Sequence, residues 1–320
     1  MIAVTGSAGF IGSNLAHRLA RDGQALLLVD RNFTPEKSPN IAGLTGHPSM
    51  KHDEFLDALA TDRVSPEAIF HLGACSSTTE KNWDFLVEIN IGYSQKIWNW
   101  CASRGRPMIY ASSAATYGDG TRGFDDRTPP GKLLPLNLYG KSKNDFDQWA
   151  LEMAATREAA PPKWAGLKFF NVYGPRERHK GRMASVVWHA RKQILETGEM
   201  KLFRSNDPAI ADGVQRRDFV FVDDCVEHML WLWKRPAPNA IYNSGTGSAR
   251  TFLDLTRAVF AGMQREPRIA FIDMPPDVAG QYQNYTQADM SRLIATGYDH
   301  PVTVLETGVA KTVQSMEDAQ

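Results

Sequence analysis

The chain has 320 residues, 42% of them apolar and 22% charged, the proportions of a folded globular protein rather than a disordered one. Lys plus Arg equals Asp plus Glu at 36 each, so there is no general basic field of the kind that holds nucleic acid; this weakens that reading, leaving only a local patch at 176–182, and no nucleic-acid partner is expected. Cys75, Cys101 and Cys225 are too scattered for a disulfide framework or a metal site, no apolar run approaches a membrane span, and the chain opens directly on a strand-like M-I-A-V; the expectation is a cytoplasmic protein with no membrane partner.

The first apolar run, residues 2–5, predicts a buried strand. It leads into T-G-S-A-G-F-I-G (5–12), which opens a helix expected over 10–22. Gly6 permits a tight turn, Gly9 lets backbone approach a pyrophosphate, and Gly12 allows close helix packing at a terminus rich in free N–H groups. A second strand, 25–30, ends in Asp30, at the offset expected of an acid that holds a ribose 2′-hydroxyl. Arg31 and Lys37 follow closely and suit a 2′-phosphate instead, so the choice between NAD and NADP stays open at this point.

Further strands are expected at 68–72, 108–112 and 166–170, with helices at 83–104 and 138–156 between them. This alternation predicts an α/β fold, a Rossmann-type doubly wound parallel sheet covered on both faces. The dinucleotide-binding domain is expected over residues 1–170, and the rest, 171–320, is expected mainly as a smaller C-terminal substrate-binding lobe. A strand over 218–222, a helix over 223–234 and a strand over 240–244 are read as returning to the sheet from near 217–245.

Y-G-K-S-K (139–143) places Tyr139 and Lys143 four apart at a helix start, so both side chains leave the same face. A phenol is a poor base at neutral pH, and a neighbouring ammonium stabilises its phenolate. The strand before it ends in A-S-S-A-A-T-Y-G (111–118), which brings a hydroxyl, Ser113, to the carboxyl edge where ligands bind in doubly wound folds. Serine, tyrosine and lysine downstream of a dinucleotide loop make a hydride-transfer site.

These three motifs together resemble the extended short-chain dehydrogenases/reductases of the nucleotide-sugar branch. The strings H-L-G-A-C-S-S-T-T-E (71–80), F-N-V-Y-G-P-R-E-R-H-K-G-R-M-A-S-V (170–186), R-D-F-V-F-V-D-D (217–224) and Q-Y-Q-N-Y-T-Q-A-D (281–289) narrow the resemblance to the ADP-L-glycero-D-manno-heptose 6-epimerases. The resemblance implies inversion at C6″ of an ADP-heptose on retained NADP, for lipopolysaccharide core supply, in a homo-oligomer (a homopentamer). It implies Ser113, Tyr139, Lys143 and a second acid/base, Lys180, as catalytic residues. Around the cofactor it implies Gly6, Gly9, Phe10, Ile11, Gly12, Asp30, Arg31, Lys37, His52, Leu72, Gly73, Ala74, Cys75, Ser76, Asn90 and Val172, besides Tyr139, Lys143 and Lys180. Around the substrate it implies Asn171, Arg182, His189, Phe203, Arg217 and Tyr282, besides Ser113 and Lys180.

The chain departs from that pattern in places. Ser7 and Arg178 stand where the family usually has glycine, Arg182 replaces a small residue, and His52 stands where a lysine is expected near the 2′-phosphate. The segment 204–217 is longer than expected. Within R-E-R-H-K-G-R (176–182) the reading divides the cations: Lys180 for chemistry, Arg178 for solvent, the others for help with a diphosphate. Two other readings remain at this level. A UDP-hexose 4-epimerase would share the serine, tyrosine and lysine, and a dinucleotide sensor without chemistry would typically lose the tyrosine or lysine that this chain keeps.

Overall fold

A computed structural model describes residues 1–156, 159–275 and 282–318. The strands of the first part are β1 (Ile2–Thr5), β2 (Leu26–Asp30), β3 (Ser49–Lys51), β4 (Ala68–His71), β5 (Met108–Ser113) and β6 (Trp164–Phe169). Then come β7 (Asn171–Tyr173), β8 (Met200–Phe203), β9 (Arg216–Arg217), β10 (Phe219–Phe221), β11 (Ala240–Ser244), β12 (Arg250–Thr251) and β13 (Ile269–Ile272). Seven of them make one parallel sheet in the order β11-β6-β5-β4-β1-β2-β3. The chain reverses direction across the sheet between β1 and β4, and ligands of such sheets bind in the crevice beyond the carboxyl ends at that point.

Continuous apolar runs mark these strands because each is buried on both faces. Ile2 and Val4 of β1, Leu26 and Leu28 of β2, and Phe70 of β4 point to one core, beneath helices α1 (Phe10–Arg21) and α7 (Val222–Lys234). Ala3, Leu27, Val29 and Ile69 point to the other, with α2 (His52–Ala60), α4 (Tyr93–Arg104) and α5 (Leu138–Ala155). A third core joins Tyr173, Val187, Ile194, Val259, Phe260 and Val309. It gathers α6 (Val186–Thr197), α8 (Phe252–Gly262) and the terminal helix Leu305–Asp318.

One expected strand needs correction. The strand at 218–222 does not return to the main sheet: β10 pairs in parallel with β7, Val220 opposite Val172, as a separate ribbon. Only β11 returns, pairing with β6 from Ala240↔Ala165 to Ser244↔Phe169. The helix over 83–104 forms as one rod with a wider turn inside it, because α3 (Trp83–Leu86) passes through a π-helical stretch, Val87–Gly92, before α4. Strand β3 and helix α2 had no clear apolar signature; β3 is three residues long and largely exposed.

Below the carboxyl edge of β5 lies a buried ion pair. Lys168 of β6 is 3.2 Å from Asp147 of α5, both essentially without solvent contact. Asp147 also accepts from Tyr110 Oη at 3.0 Å and Ser112 Oγ at 2.6 Å, and Lys168 donates to Thr116 Oγ1 at 2.6 Å. Removing one member of such a pair strands the other charge in a low-dielectric core, at about 3–5 kcal/mol. Lys168→Met is therefore expected to lower stability by about that amount in urea unfolding; a loss under about 1 kcal/mol would mean the Asp147 carboxyl is neutral or hydrated.

Candidate active site

At the switch point, Gly6 takes φ +68°, and a Cβ there would lie 2.8 Å from the backbone of Leu72 and Gly73 at the end of β4. A Cβ on Gly12 would sit 2.1 Å from the Gly6 carbonyl, so the first turn of α1 presses directly on the loop. The expected roles of these glycines thus have steric causes. Thr5 completes the junction: its Oγ1 accepts from Gly73 N at 3.0 Å and pairs with His71 Nδ1 at 2.8 Å. Burial pushes His71 down to about 3, leaving it a neutral imidazole that also meets Ser94 Oγ at 2.8 Å. Ser7 turns its hydroxyl away, to the Val29 carbonyl at 3.1 Å, which explains why serine is tolerated in place of glycine.

Over this loop opens a cavity of about 610 Å³. The expected cofactor residues Gly6, Gly9, Phe10, Ile11, Gly12, Asp30, Arg31, Lys37, His52, Leu72, Gly73, Ala74, Cys75, Ser76, Val172, Tyr139, Lys143 and Lys180 all line it. Asp30 accepts from Ala8 N at 3.1 Å and is paired by Lys37 Nζ at 2.7 Å. The Arg31 guanidinium lies 4.8 Å over the Phe85 ring. His52 Nδ1 and Tyr93 Oη are buried without a hydrogen-bond partner, their rings 5.4 Å apart and both on the cavity wall. A glycine cradle that no side chain fits, a paired acid and two unsatisfied polar atoms together suit a dinucleotide.

Asn90 is the exception. It does not line the cavity; from the π-helical turn it holds the Cys75 backbone on both sides, accepting from Cys75 N at 2.8 Å and donating to Cys75 O at 3.0 Å and Ser142 Oγ at 2.9 Å. Its place is behind the wall, shaping it. A widened turn at such a point is a common device for aiming one side chain.

Ser113, Tyr139 and Lys143 converge on the same cavity. Asn137 caps α5 by accepting from Gly140 N at 2.8 Å, so Tyr139 and Lys143 leave its first turns together. Burial raises the Tyr139 phenol, and hydrogen bonding with Ser113 opposes that rise. Burial lowers Lys143 to about 8, with Asp147 pulling the other way. Lys143 Nζ donates to the Ala111 carbonyl at 3.0 Å, so its ammonium is anchored on the strand end rather than on the phenol.

The cations of 176–182 part company. Arg176, at φ +72°, donates to Asn14 Oδ1 of α1 at 2.8 Å, and Asn14 Nδ2 returns a bond to the Pro175 carbonyl at 3.0 Å. That guanidinium is tied to α1 through Nη1 and does not line the cavity. Arg178 is exposed, as expected, and so is Arg182. Lys180 enters the cavity 5.2 Å over the Phe10 ring, where burial lowers its pKa and Glu177 opposes the fall.

Of the expected substrate residues, Ser113 and Lys180 line that cavity, and Asn171, Arg182, His189, Phe203, Arg217 and Tyr282 lie outside its wall. Arg217 is buried at 7% exposure with its guanidinium 5.1 Å over the Tyr282 ring and 5.5 Å over Phe252, while Phe203 meets Tyr282 edge-on at 6.4 Å. Among the described residues no salt bridge joins Arg217 to a carboxylate, a state that suits a cation awaiting an anion. His189 and Arg182 meet through His189 Nε2 and the Arg182 carbonyl at 3.3 Å. Asn171 stands at the start of β7, exposed, beside Thr286. The extra length of 204–217 closes on itself, Ser205 N donating to Asp212 Oδ1 at 2.8 Å. Gln281, which opens the last family string, lies outside the described residues.

Sequence reasoning missed His179, Tyr93 and Phe85, all on the cavity wall. His179 stood in the H-K-G string, where its neighbour Lys180 drew the attention; Tyr93 and Phe85 carried no motif at all. Among these side chains the packing predicts one outcome directly. Gly12→Val would drive two methyls into the Gly6 carbonyl, so the variant is expected to fold poorly or to emerge without bound nucleotide, read by absorbance of the supernatant after denaturation.

The comparisons with known proteins agree with this geometry. The model of the "NAD dependent epimerase/dehydratase family" matches residues 2–245. A protein of Nitratidesulfovibrio vulgaris named ADP-L-glycero-D-manno-heptose-6-epimerase is 46% identical over 318 residues, 98% of this chain and 97% of its own. The crystal structure of the Helicobacter pylori ADP-L-glycero-D-manno-heptose-6-epimerase superposes with a TM-score of 0.84 at 25% identity, over 99% of this chain and 96% of that one. The UDP-glucose 4-epimerase of Thermus thermophilus, solved with NAD, gives 0.79 at 25% identity over 100% and 99%. A family that is NAD dependent and a glycine cradle built this way make the cofactor a nicotinamide dinucleotide. The chain belongs to the NAD dependent epimerase/dehydratase family.

Proposed function

We propose that the protein interconverts the C6″ epimers of ADP-glycero-D-manno-heptose, using NADP that it retains through the cycle. The observation that carries this reading is that two acid/base side chains from different elements, Tyr139 of α5 and Lys180 of the 178–183 turn, line one cavity above the glycine loop. When bound, the nicotinamide supplies a reversible acceptor for the substrate's hydride. Inversion then asks the chain to present its proton-transferring groups to two orientations of the same carbonyl.

Tyr139, beside Ser113, takes the proton of the carbinol in one orientation and returns it on the way back. Ser113 Oγ accepts from Ala115 N at 3.1 Å, which holds the hydroxyl at the strand end. Lys143 anchors the cofactor ribose and keeps positive charge near the phenol. Lys180 serves the other orientation, and its burial favours the neutral amine that a base requires. Arg217, set between aromatic faces, holds the ADP diphosphate, and Phe203, Tyr282, Asn171, His189 and Arg182 frame the rest of the nucleotide sugar. The homo-oligomer implied by the family resemblance is part of the same proposal.

The deciding experiment is incubation with ADP-D-glycero-D-manno-heptose and separation of the two epimers. Tyr139→Phe and Lys180→Met are each expected to lower epimerisation by about 10²–10⁴-fold while the protein folds and keeps its nucleotide. Near-normal turnover by a folded Lys180→Met enzyme would leave Tyr139 serving both faces, as in a single-base 4-epimerase.

For the cofactor, Lys37 already offsets the Asp30 carboxylate, and Arg31 and His52 stand on the same rim. NADP is therefore expected to bind more tightly than NAD by a few-fold to about a hundredfold. Lys37→Ala should reverse the order, because it unmasks Asp30 against a 2′-phosphate. Titration of apoenzyme with each nucleotide checks both statements, and an NAD advantage in the unmodified protein would mean that Asp30 dominates.

A further inference from the structure

Between the glycine loop and the turn that carries Lys180 lies a side chain with no assigned part, Asn40. It is 4% exposed, in the short 3₁₀ turn Ser38–Ile41, just after the Lys37 that pairs Asp30. Its Nδ2 donates to the Ala8 carbonyl of the glycine loop at 2.9 Å and meets His179 Nδ1 at 2.9 Å. The Ala8 carbonyl only accepts, so the atom facing it is the amide nitrogen. Both of its hydrogens are then committed, and His179 Nδ1 must be the acceptor, with the ring proton on Nε2. Burial together with the charges of Lys37 and Lys180 pushes His179 down to about 4, so the imidazole stays neutral and able to accept. The backbone carbonyl of Asn40 in turn faces His17 Nε2 of α1 at 3.0 Å.

We propose that Asn40 and His179 are positioning residues: the Asn40 amide clamps the turn bearing Lys180 onto the cofactor's own loop, fixing the amine over the cavity. The proposal rests on the reading of Lys180 as the second acid/base. The geometry makes the clamp specific. Lys180 follows His179 directly, the 178–183 turn kinks at Gly181, φ +52°, and Glu177 accepts from Ser185 N at 2.6 Å and closes the far side. The near side is tied through Arg176 and Asn14. Within the turn Lys180 N donates to the Glu177 carbonyl at 2.9 Å, and the bond between His179 and Asn40 is the one that joins this side of the turn to the glycine loop. A long lysine on an untethered turn would sample many positions, and proton transfer requires the amine within hydrogen-bond reach of one atom.

The test uses the protein with its bound nucleotide and four variants: Asn40→Ala, His179→Leu, the double variant, and His179→Asn, whose amide oxygen keeps an acceptor near the Nδ1 position. Epimerisation kcat, nucleotide content and the rate of acetylation of Lys180 by an N-hydroxysuccinimide ester, read by peptide mass spectrometry, are measured for each. Asn40→Ala and His179→Leu are expected to lower kcat about tenfold or more, the size of one lost hydrogen bond in a positioning role, and to raise Lys180 acetylation several-fold with nucleotide still bound. The double variant should be no worse than the worse single one, and His179→Asn should recover most of both readouts. Unchanged acetylation, additive losses, or His179→Asn no better than His179→Leu would each overturn the clamp. Raised acetylation with unchanged kcat would overturn the positioning role. The acetylation readout does not depend on what Lys180 does, whereas an active Lys180→Met enzyme would sink the two-base reading by itself, so the two failures are told apart.

Discussion

Gly6 has no room for a side chain, and the site is organised around that fact. The loop after β1 must pass against the end of β4 at backbone distance, because a Cβ at residue 6 would strike Leu72 and Gly73. That approach brings the free N–H groups of the α1 terminus to the sheet crevice, where a pyrophosphate's charge is best held. It also stacks the later layers. Thr5 links the loop to β4 through Gly73 N and His71, and Asn40 links it to the turn of Lys180. The glycine loop is thereby joined both to the end of β4 and to the turn that carries Lys180.

Burial does most of the electrostatic work in the cavity. It raises the phenol of Tyr139 and lowers the ammonium pKa of Lys143 and of Lys180, so each group is pushed toward its neutral form. Local partners then resist selectively: Ser113 for the phenol, Asp147 for Lys143, Glu177 for Lys180. The Asp147–Lys168 pair lies directly beneath, tied to Ser112 and Tyr110, so the field at the strand end is set by groups that never reach the cavity. Such buried charges cost stability unless every partner is present. Their arrangement under the β5 edge makes the core and the chemistry inseparable there.

The cation-rich stretch 176–182 shows how similar residues take different work from position alone. Arg176 accepts a left-handed backbone, a strain of about 1–3 kcal/mol, in exchange for a fixed bond to α1. His179 stays uncharged as an acceptor, Lys180 turns inward, and Arg178 and Arg182 remain in solvent. Charge counting over the stretch suggests an anion site, whereas only one of these cations reaches the cavity.

Much of the architecture was legible because two-sided burial writes itself into the chain as unbroken apolar runs, as at β1, β2 and β4, and because T-G-S-A-G-F-I-G and Y-G-K-S-K are local in sequence. Tyr139 with Lys143, Asp30 with Lys37 and the glycines could be placed from spacing, since a helix turn or a tight loop determines their geometry within a few residues. What depended on distant parts of the chain was not legible. Strand β10 is as apolar as a sheet strand, yet it pairs with β7, a partner its own composition does not reveal. Asn90 carried a cofactor role by analogy and acts behind the wall, because the π-helical turn rotates it toward Cys75. Asn40 and His179 are 139 positions apart, and their contact needed both the 3₁₀ turn and the 178–183 turn to exist first. The sequence by itself determined the alternating sheet, the dinucleotide loop and the Tyr139–Lys143 pair, whose geometry is local. Only the tertiary structure decided what ties Arg176 to α1 and the turn of Lys180 to the glycine loop, because those contacts join residues with no shared periodicity and arise from packing across the fold.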